Sequence, residues 1–415
     1  MSSNTQRSIS YSPMFPAETW GQCWQYCSLS DLRRLALVCR LFCLVCRPFL
    51  FRRQALSAPH AANRKNWVTM TKKMHNRVVA LQELPTSPFV EFVREWHFVG
   101  AHGINVSERW PEITNIHILH DKWLKASAIF TATLGVYHRV TVLHLTDLTM
   151  DAEVRTTLES LTNLEELSLA TCTIVARMGN PLPVKLFTFT GFGFPTTHVG
   201  PLHIVDSQEL NRLTLGGHPD AEPLLQDLQT GPLPCLVYLS VTVTAHISNI
   251  LIPFLACCTQ LESIQILQDD SLCLWSLDCL AAWIPDPLPP NILPALKSFK
   301  GPPVIAGRFV RDRPVERVWL AQCLSQLNIK GEELLATLRA ISQGLVPLNT
   351  LTIVPAFPAE RCLEIFSSIG ALFPELHNLS LKIIQEEPRP PVDTGSDVDD
   401  EEEQGVGGGR VCMGG

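Results

Sequence analysis

Leu164-Glu165-Glu166-Leu167-Ser168-Leu169 is the stretch on which the fold turns. Its first, fourth and sixth places are apolar. The last two apolar places are two residues apart, so they share one face of a short strand. The first marks where the chain turns inward to enter that strand. The same six-residue unit recurs as Val93/Trp96/Phe98, Ile113/Ile116/Ile118, Val140/Leu143/Leu145, Val184/Phe187/Phe189, Leu210/Leu213/Leu215, Leu236/Leu239/Val241 and Leu261/Ile264/Ile266. After one weaker copy, Leu296/Phe299/Gly301, it resumes as Val315/Val318/Leu320, Leu348/Leu351/Ile353 and Leu376/Leu379/Leu381. One such strand is too short to bury its own side chains, whereas stacked neighbours form a continuous core.

The copies lie 19 to 35 residues apart, mostly 20 to 28. A unit with this core and this spacing resembles the leucine-rich repeat. The resemblance implies an α/β solenoid with parallel strands inside and helices outside. Ala152–Leu161, Ile247–Cys257 and Glu332–Ile341 have the spacing of those outer helices. The tripeptides Leu233-Pro234-Cys235 and Phe373-Pro374-Glu375 lead into strands. The Asn or Cys that usually follows the strand is mostly missing, with Cys172 the one good candidate, and the long interval around Pro285–Pro290 reads as an excursion or loop.

Working outward, residues 386–415 lose the pattern. They hold nine acidic and two basic side chains, a proline cluster and a glycine run, which reads as a disordered acidic tail. That tail accounts for the whole net charge of −7, and the other 385 residues balance at 31 acidic and 31 basic. A body without a net field, whose aromatics do not alternate with bases, gives no footprint for nucleic acid. No run of 18 or more apolar residues predicts a membrane span. The fourteen Cys are irregularly spaced and no signal peptide precedes them, so the expected compartment is cytoplasmic or nuclear. The triplets at Asn105 and Asn378 are then chance glycosylation matches. Ser396, among acidic neighbours, reads as a kinase acceptor.

On the N-terminal side the domains read as a disordered tail over 1–14, a helical head over 15–59, a basic helical linker over 60–88 and the repeat body over 89–385. In the head, Trp20, Cys23, Trp24 and Cys27 fall on one helical face. Ser30 or Asp31 is placed to cap a second helix. On that helix Leu32, Leu35, Val38, Cys39 and Phe42 share a face, and Pro48 is expected to stop it or to start a third short segment, Phe49-Leu50-Phe51. From Leu32 to Gln82 there are eleven Lys and Arg and no acidic residue, which suits an acidic partner. Trp67 to Leu84 has good helix formers and no Pro, and reads as a helix.

Little in the chain points to bond chemistry. Cys23, Cys27, Cys39, Cys43 and Cys46 sit in an apolar period without paired Cys-x-x-Cys spacing, so they read as core thiols and not as metal ligands. Asp393-Thr394-Gly395-Ser396 spells an aspartic-protease motif, but that chemistry needs two such carboxylates in a packed site. There is no phosphate loop, nucleophile elbow or His-Glu-x-x-His. The His are dispersed, and His117, His144 and His203 read as core or surface histidines and not as ligands. The expectation is a protein that is not an enzyme, without cofactor or metal.

Phe15-Pro16, Glu18, Trp20, Cys23-Trp24, Cys27, Asp31-Leu32, Leu35, Leu37-Val38-Cys39-Arg40, Phe42 and Phe51 together resemble an F-box, with Trp20, Cys23 and Cys27 in place of the usual Leu, Ile and Leu. The resemblance covers about a tenth of the chain. With repeats behind it, the arrangement is similar to fungal-type substrate receptors of SCF ubiquitin ligases. It implies a short three-helix F-box before an irregular leucine-rich-repeat solenoid. It also implies docking on a Skp-type adaptor through Phe15, Pro16, Trp20, Trp24, Leu32, Leu35, Val38 and Phe42, a cullin reached through that adaptor, and an unidentified protein substrate held by the repeats. The alternative is a non-ligase scaffold that uses the same adaptor or packs its head on its own repeats.

Overall fold

The structure is a computed structural model describing residues 16–57, 67–100, 114–176, 179–191, 202–218, 220–268, 282, 284–321, 331–354 and 362–381. Eleven of the twelve repeat copies form strands. These are β2 (Glu95–Val99), β3 (Val142–Thr146), β5 (Glu166–Ala170), β7 (Leu186–Thr190), β8 (Arg212–Leu215) and β9 (Tyr238–Val243). They continue as β10 (Ser263–Gln268), β11 (Ser298–Gly301), β12 (Arg317–Leu320), β13 (Thr350–Ile353) and β14 (Asn378–Leu381). The weak Leu296/Phe299/Gly301 copy is among them. Together with β1 (Arg53–Ser57) they make one twelve-stranded sheet whose spatial order follows the chain, every pair parallel. Two-residue strands β4 (Thr149–Met150) and β6 (Thr173–Ile174) pair separately.

Register explains why the unit is so regular. The fourth-position residues lie opposite one another across the sheet from Trp96 through Leu143, Leu167, Phe187, Leu213 and Leu239 to Ile264, Phe299, Val318 and Leu351. All are buried in one continuous core. A one-residue slip in any strand would turn its whole apolar set to the open face.

Behind the sheet, α6 (Ala152–Ser160), α8 (Ala245–Cys257) and α10 (Gly331–Ile341) occupy the stretches with helical spacing. Further helices are α7 (Ala221–Leu228), α9 (Pro303–Val310) and α11 (Cys362–Leu372). Two expectations change at the start of the body. The Ile113/Ile116/Ile118 copy is not a strand, because Thr114–Thr133 is helix α5. Its apolar residues continue at helical spacing, and Trp123, Ala126 and Phe130, three and four apart, point into the core. The stretch read as a linker holds α4 (Trp67–Glu83), whose Met74, Val78 and Leu81 are buried in the same core. Strand β1, which carries no repeat unit, starts the sheet with Leu56 as its buried residue.

Polar side chains complete the loops. At the exits of successive strands, Asp147, Thr171 and Gly191 all have positive φ, and the Asp147 and Thr171 N–H groups donate to the next strand at 2.9 and 2.7 Å. Thr171 Oγ1 also donates to Asp147 Oδ1. Cys172, at the expected polar position, is buried; its thiol donates to Leu145 O at 3.3 Å. His218 stands at the same place after β8 and reaches back to Cys172 O at 3.0 Å. The proline-rich excursion is packed, with Ile284, Leu288, Ile292 and Leu293 buried. Arg313 holds it by donating to the carbonyls of Leu288, Pro289 and Ile292.

At the N-terminus stand α1 (Ala17–Trp24), α2 (Leu29–Ala36) and α3 (Arg40–Leu50). Ser28, not Ser30 or Asp31, caps α2 by accepting from Asp31 N–H at 3.2 Å. The second helix ends at Ala36, so Val38 lies in a turn. Cys39 caps α3, its sulfur accepting from Phe42 N–H at 3.5 Å. Pro48 sits inside α3 and does not stop it. The head meets the body where Phe51 stacks on Phe89 with ring centroids 4.2 Å apart. The Arg47 guanidinium lies 5.3 Å from the centre of the same ring.

Candidate functional site

Two surfaces are built by these elements: the helical head and the open face of the sheet. The head has its own small core of Trp24, Leu32 and Cys46, with Trp20, Cys27, Leu35 and Phe42 packed around it. Trp20, Trp24 and Phe42 form an aromatic triangle with centroids 4.8 to 5.6 Å apart. Five residues expected to touch an adaptor, Trp20, Trp24, Leu32, Leu35 and Phe42, are therefore the packing between the three helices. Pro16 and Val38 are exposed, and Phe15 lies outside the described residues.

What the head turns outward is a different apolar set. Leu37 is 87% exposed, Val38 66% and Leu44 56%, with Leu29 and Leu41 also exposed. Leu41 and Leu44 are three apart and lie on one side of α3. Arg33, Arg34 and Arg40, close to them in sequence, are also exposed. Of this set the sequence reading had Val38; it missed Leu29, Leu37, Leu41 and Leu44, because the α2–α3 break shifts the helical phase at Leu37 and Val38.

The cysteines divide more finely than the apolar period implied. Only Cys46 of the five is buried; Cys27 and Cys43 are half-buried, and Cys23 and Cys39 are exposed. Burial pushes the Cys46 thiol up, with Cys43 and then Cys27 adding to it.

Along the open face, the strand residues between the buried rows stand side by side. Near its start, Glu95, His97 and His144 come together, with Arg53 against Glu95. Burial alone would raise the Glu95 carboxyl; the hydrogen bond from His97 and the Arg53 charge outweigh it and hold it below the usual carboxylate range. Burial lowers His144, and the neighbouring His97 lowers it further. Farther along, Arg212 lies 4.4 Å from the centre of the Tyr238 ring, and Lys300 Nζ 4.4 Å from that of Trp319. Trp319 is exposed. At the edge where strands enter, a concavity is lined by Arg94, Arg139 and Lys185. Arg139 pairs with Glu91 at 3.1 Å and Lys185 with Glu165 at 2.7 Å, so these charges are already answered.

No protein-family model and no curated protein matches the chain. Among solved structures it is similar to the leucine-rich repeat-containing protein LegL7 from Legionella pneumophila. That likeness covers 80% of this chain and 90% of the other, at 13% identity and a TM-score of 0.39. The resemblance of the body to a leucine-rich-repeat solenoid rests on its own geometry: parallel strands in chain order, a continuous apolar row, and helices behind. No helix among the described residues is long and apolar enough to cross a membrane. The N-terminal tail, the acidic tail with Ser396 and the Asp393–Ser396 motif, and Asn105 lie outside the described residues.

Proposed function

We propose that the protein is a substrate receptor of an SCF-type ubiquitin ligase, docking on a Skp-type adaptor through its head and holding a protein target on the open sheet face. The observation that carries this reading is the separately cored three-helix head with an uncovered apolar set at Leu29, Leu37, Val38, Leu41 and Leu44. Burying Leu37, Val38 and Leu44 contributes up to roughly 1.5–3 kcal/mol each before association costs. The flanking arginines favour an acidic partner. The receptor itself makes and breaks no bonds; it raises the local concentration of target near the ubiquitin carrier.

In this reading Val38, already among the expected contacts, is joined by the exposed Leu29, Leu37, Leu41 and Leu44. Co-purification of the full chain with a Skp-type adaptor tests it. Val38→Asp with Leu44→Asp removes the adaptor while leaving the helices folded. Leu32→Asp also removes it, but by breaking the head's core. Retention of adaptor by the Val38/Leu44 variant refutes the reading. The scaffold alternative predicts adaptor without cullin in the same pull-down. The head touches the body through Phe51 on Phe89, and that contact leaves Leu37 uncovered at 87% exposure.

A further inference from the structure

Glu95, His97 and His144 are scattered in sequence, yet the sheet gathers them. Glu95 and His97 are two apart on β2 and so face the same way. His144 on β3 is the direct partner of His97 in the parallel register, and their rings stack with centroids 4.3 Å apart. Each of the three residues offers one ligand atom, and these atoms all lie within 4.8 Å of one another. Glu95 Oε1 is 2.6 Å from His97 Nε2. Its other oxygen, Oε2, is 2.5 Å from Arg53 Nε on β1. All three ligand residues are half-buried.

We propose that Glu95, His97 and His144 form a binding site for a divalent transition cation, zinc above all, on the open face of the sheet at β2 and β3. Ligand atoms about 2.0–2.2 Å from a tetrahedral zinc stand roughly 3.3–3.6 Å from one another. Reaching that from the stacked arrangement takes rotation of both imidazoles out of their stack. The rings turn so that their in-plane lone pairs converge, and the cation takes the place of the hydrogen bond between Glu95 and His97. Two imidazoles and one carboxylate suit zinc and its transition-metal neighbours; magnesium and calcium take oxygen ligands. Arg53 on the far carboxylate oxygen is the kind of outer partner that aims a ligating carboxylate. The backbone ladder of two parallel strands fixes the distance between the two histidine backbones, so only the side chains have to turn. Three protein ligands leave a fourth position for water or for a side chain of a bound polypeptide. Glu166 on β5, opposite Val142 and near enough to His144 to act on its charge, is a further acidic neighbour among the described residues.

The site does not depend on the adaptor reading. The test uses the full chain without a histidine tag, stripped by chelator and titrated with Zn2+ by calorimetry. The parent binds one more equivalent than His97→Gln/His144→Gln, and Glu95→Gln weakens that equivalent without altering the remainder. With Co2+ the parent gives a visible spectrum of nitrogen and oxygen ligation that the double variant lacks. Thiolate-to-cobalt bands, if present, are common to both, which separates this site from the cysteines. Zinc raises the thermal midpoint of the parent more than that of the double variant. Circular dichroism in chelator shows whether each variant is folded, and Glu95→Gln serves if the double variant is not. Equal stoichiometry and affinity in the parent and a folded variant, or an unchanged cobalt spectrum, overturns the proposal.

Discussion

Replacing Arg313 by Met tests what holds the proline-rich excursion onto the solenoid. Arg313 is 2% exposed, and its guanidinium makes five hydrogen bonds, all to backbone carbonyls. Nε donates to Ile292 at 3.0 Å, Nη2 to Leu288 and Pro289 at 3.2 and 2.9 Å, and Nη1 to Arg308 and Arg311 at 3.3 and 2.7 Å. Burial pulls its pKa down, with Asp312 opposing, but guanidinium keeps its charge in proteins. Charged hydrogen bonds are worth about 1.5–3 kcal/mol each. Five summed would overstate the loss, since some carbonyls recover water when the excursion loosens. A buried carbonyl left without its donor costs about 1–3 kcal/mol, and with some carbonyls recovering water the expected destabilisation is about 3–5 kcal/mol. Met retains most of the apolar stem, so the change reports on the guanidinium. Urea unfolding followed by circular dichroism measures it, and limited proteolysis should show new cleavage within 284–296. Arg313→Lys recovers only part, because one ammonium with three donors cannot serve five separated carbonyls. A Met variant within about 1 kcal/mol of the parent, with unaltered cleavage, refutes this account.

Gly191 has φ +117, and a Cβ there meets Thr171, with its Cα at 2.8 Å. Gly191→Ala should destabilise by about 1–3 kcal/mol in the same urea assay, from steric strain and displacement of the neighbouring turn. His218 is buried, donates from Nε2 to Cys172 O and accepts at Nδ1 from Asp220 N–H at 3.1 Å, which leaves no place for a second proton. Burial holds its pKa below the ordinary imidazole range despite the Cys172 hydrogen bond and the Asp220 charge. The unfolded chain therefore binds that proton more readily. Its contribution is full above the unfolded value of about 6.5 and falls as pH drops through the lower folded value, by no more than about 1.4 kcal/mol per pH unit. A His218→Gln series in urea should show a shallower slope between pH 7 and 5, and an identical slope would sink the assignment. Leu32→Asp should lower the head's thermal stability by several kcal/mol, because it buries a charge among Trp24 and Cys46, whereas Val38→Asp should not.

Most of the body was legible because its pattern is local. Leu167 and Leu169 lie two apart on one strand, and the stacking of such strands follows from their number. The false copy at Ile113–Ile118 shows the limit: a six-residue window fits both a strand and the first turns of a helix, and only the continuation through Trp123, Ala126 and Phe130 separates them. Strand β1 was illegible because an edge strand with one buried residue, Leu56, carries no repeated apolar signal. The head was legible as apolar helices but not in its facing. Periodicity marks the apolar side of a helix without saying whether a neighbouring helix or a partner covers it. Here α1 and α3 cover Leu32 and Leu35, and the turn at Leu37–Val38 puts the next apolar residues in solvent.

The sequence by itself determined the repeat, the parallel α/β class and the helical head, since each depends on spacings of two to four residues within one element. Tertiary structure decided which residues are available to act. His97 and His144 are 47 positions apart and look solitary along the chain, yet neighbouring strands in a solenoid bring residues one or two repeats apart side by side. Arg313 reads as a surface charge until the excursion folds over it. Both follow from one physical cause: register across strands, and closure of loops over side chains, are set by burial summed over the whole sheet, and no local window of sequence contains that sum.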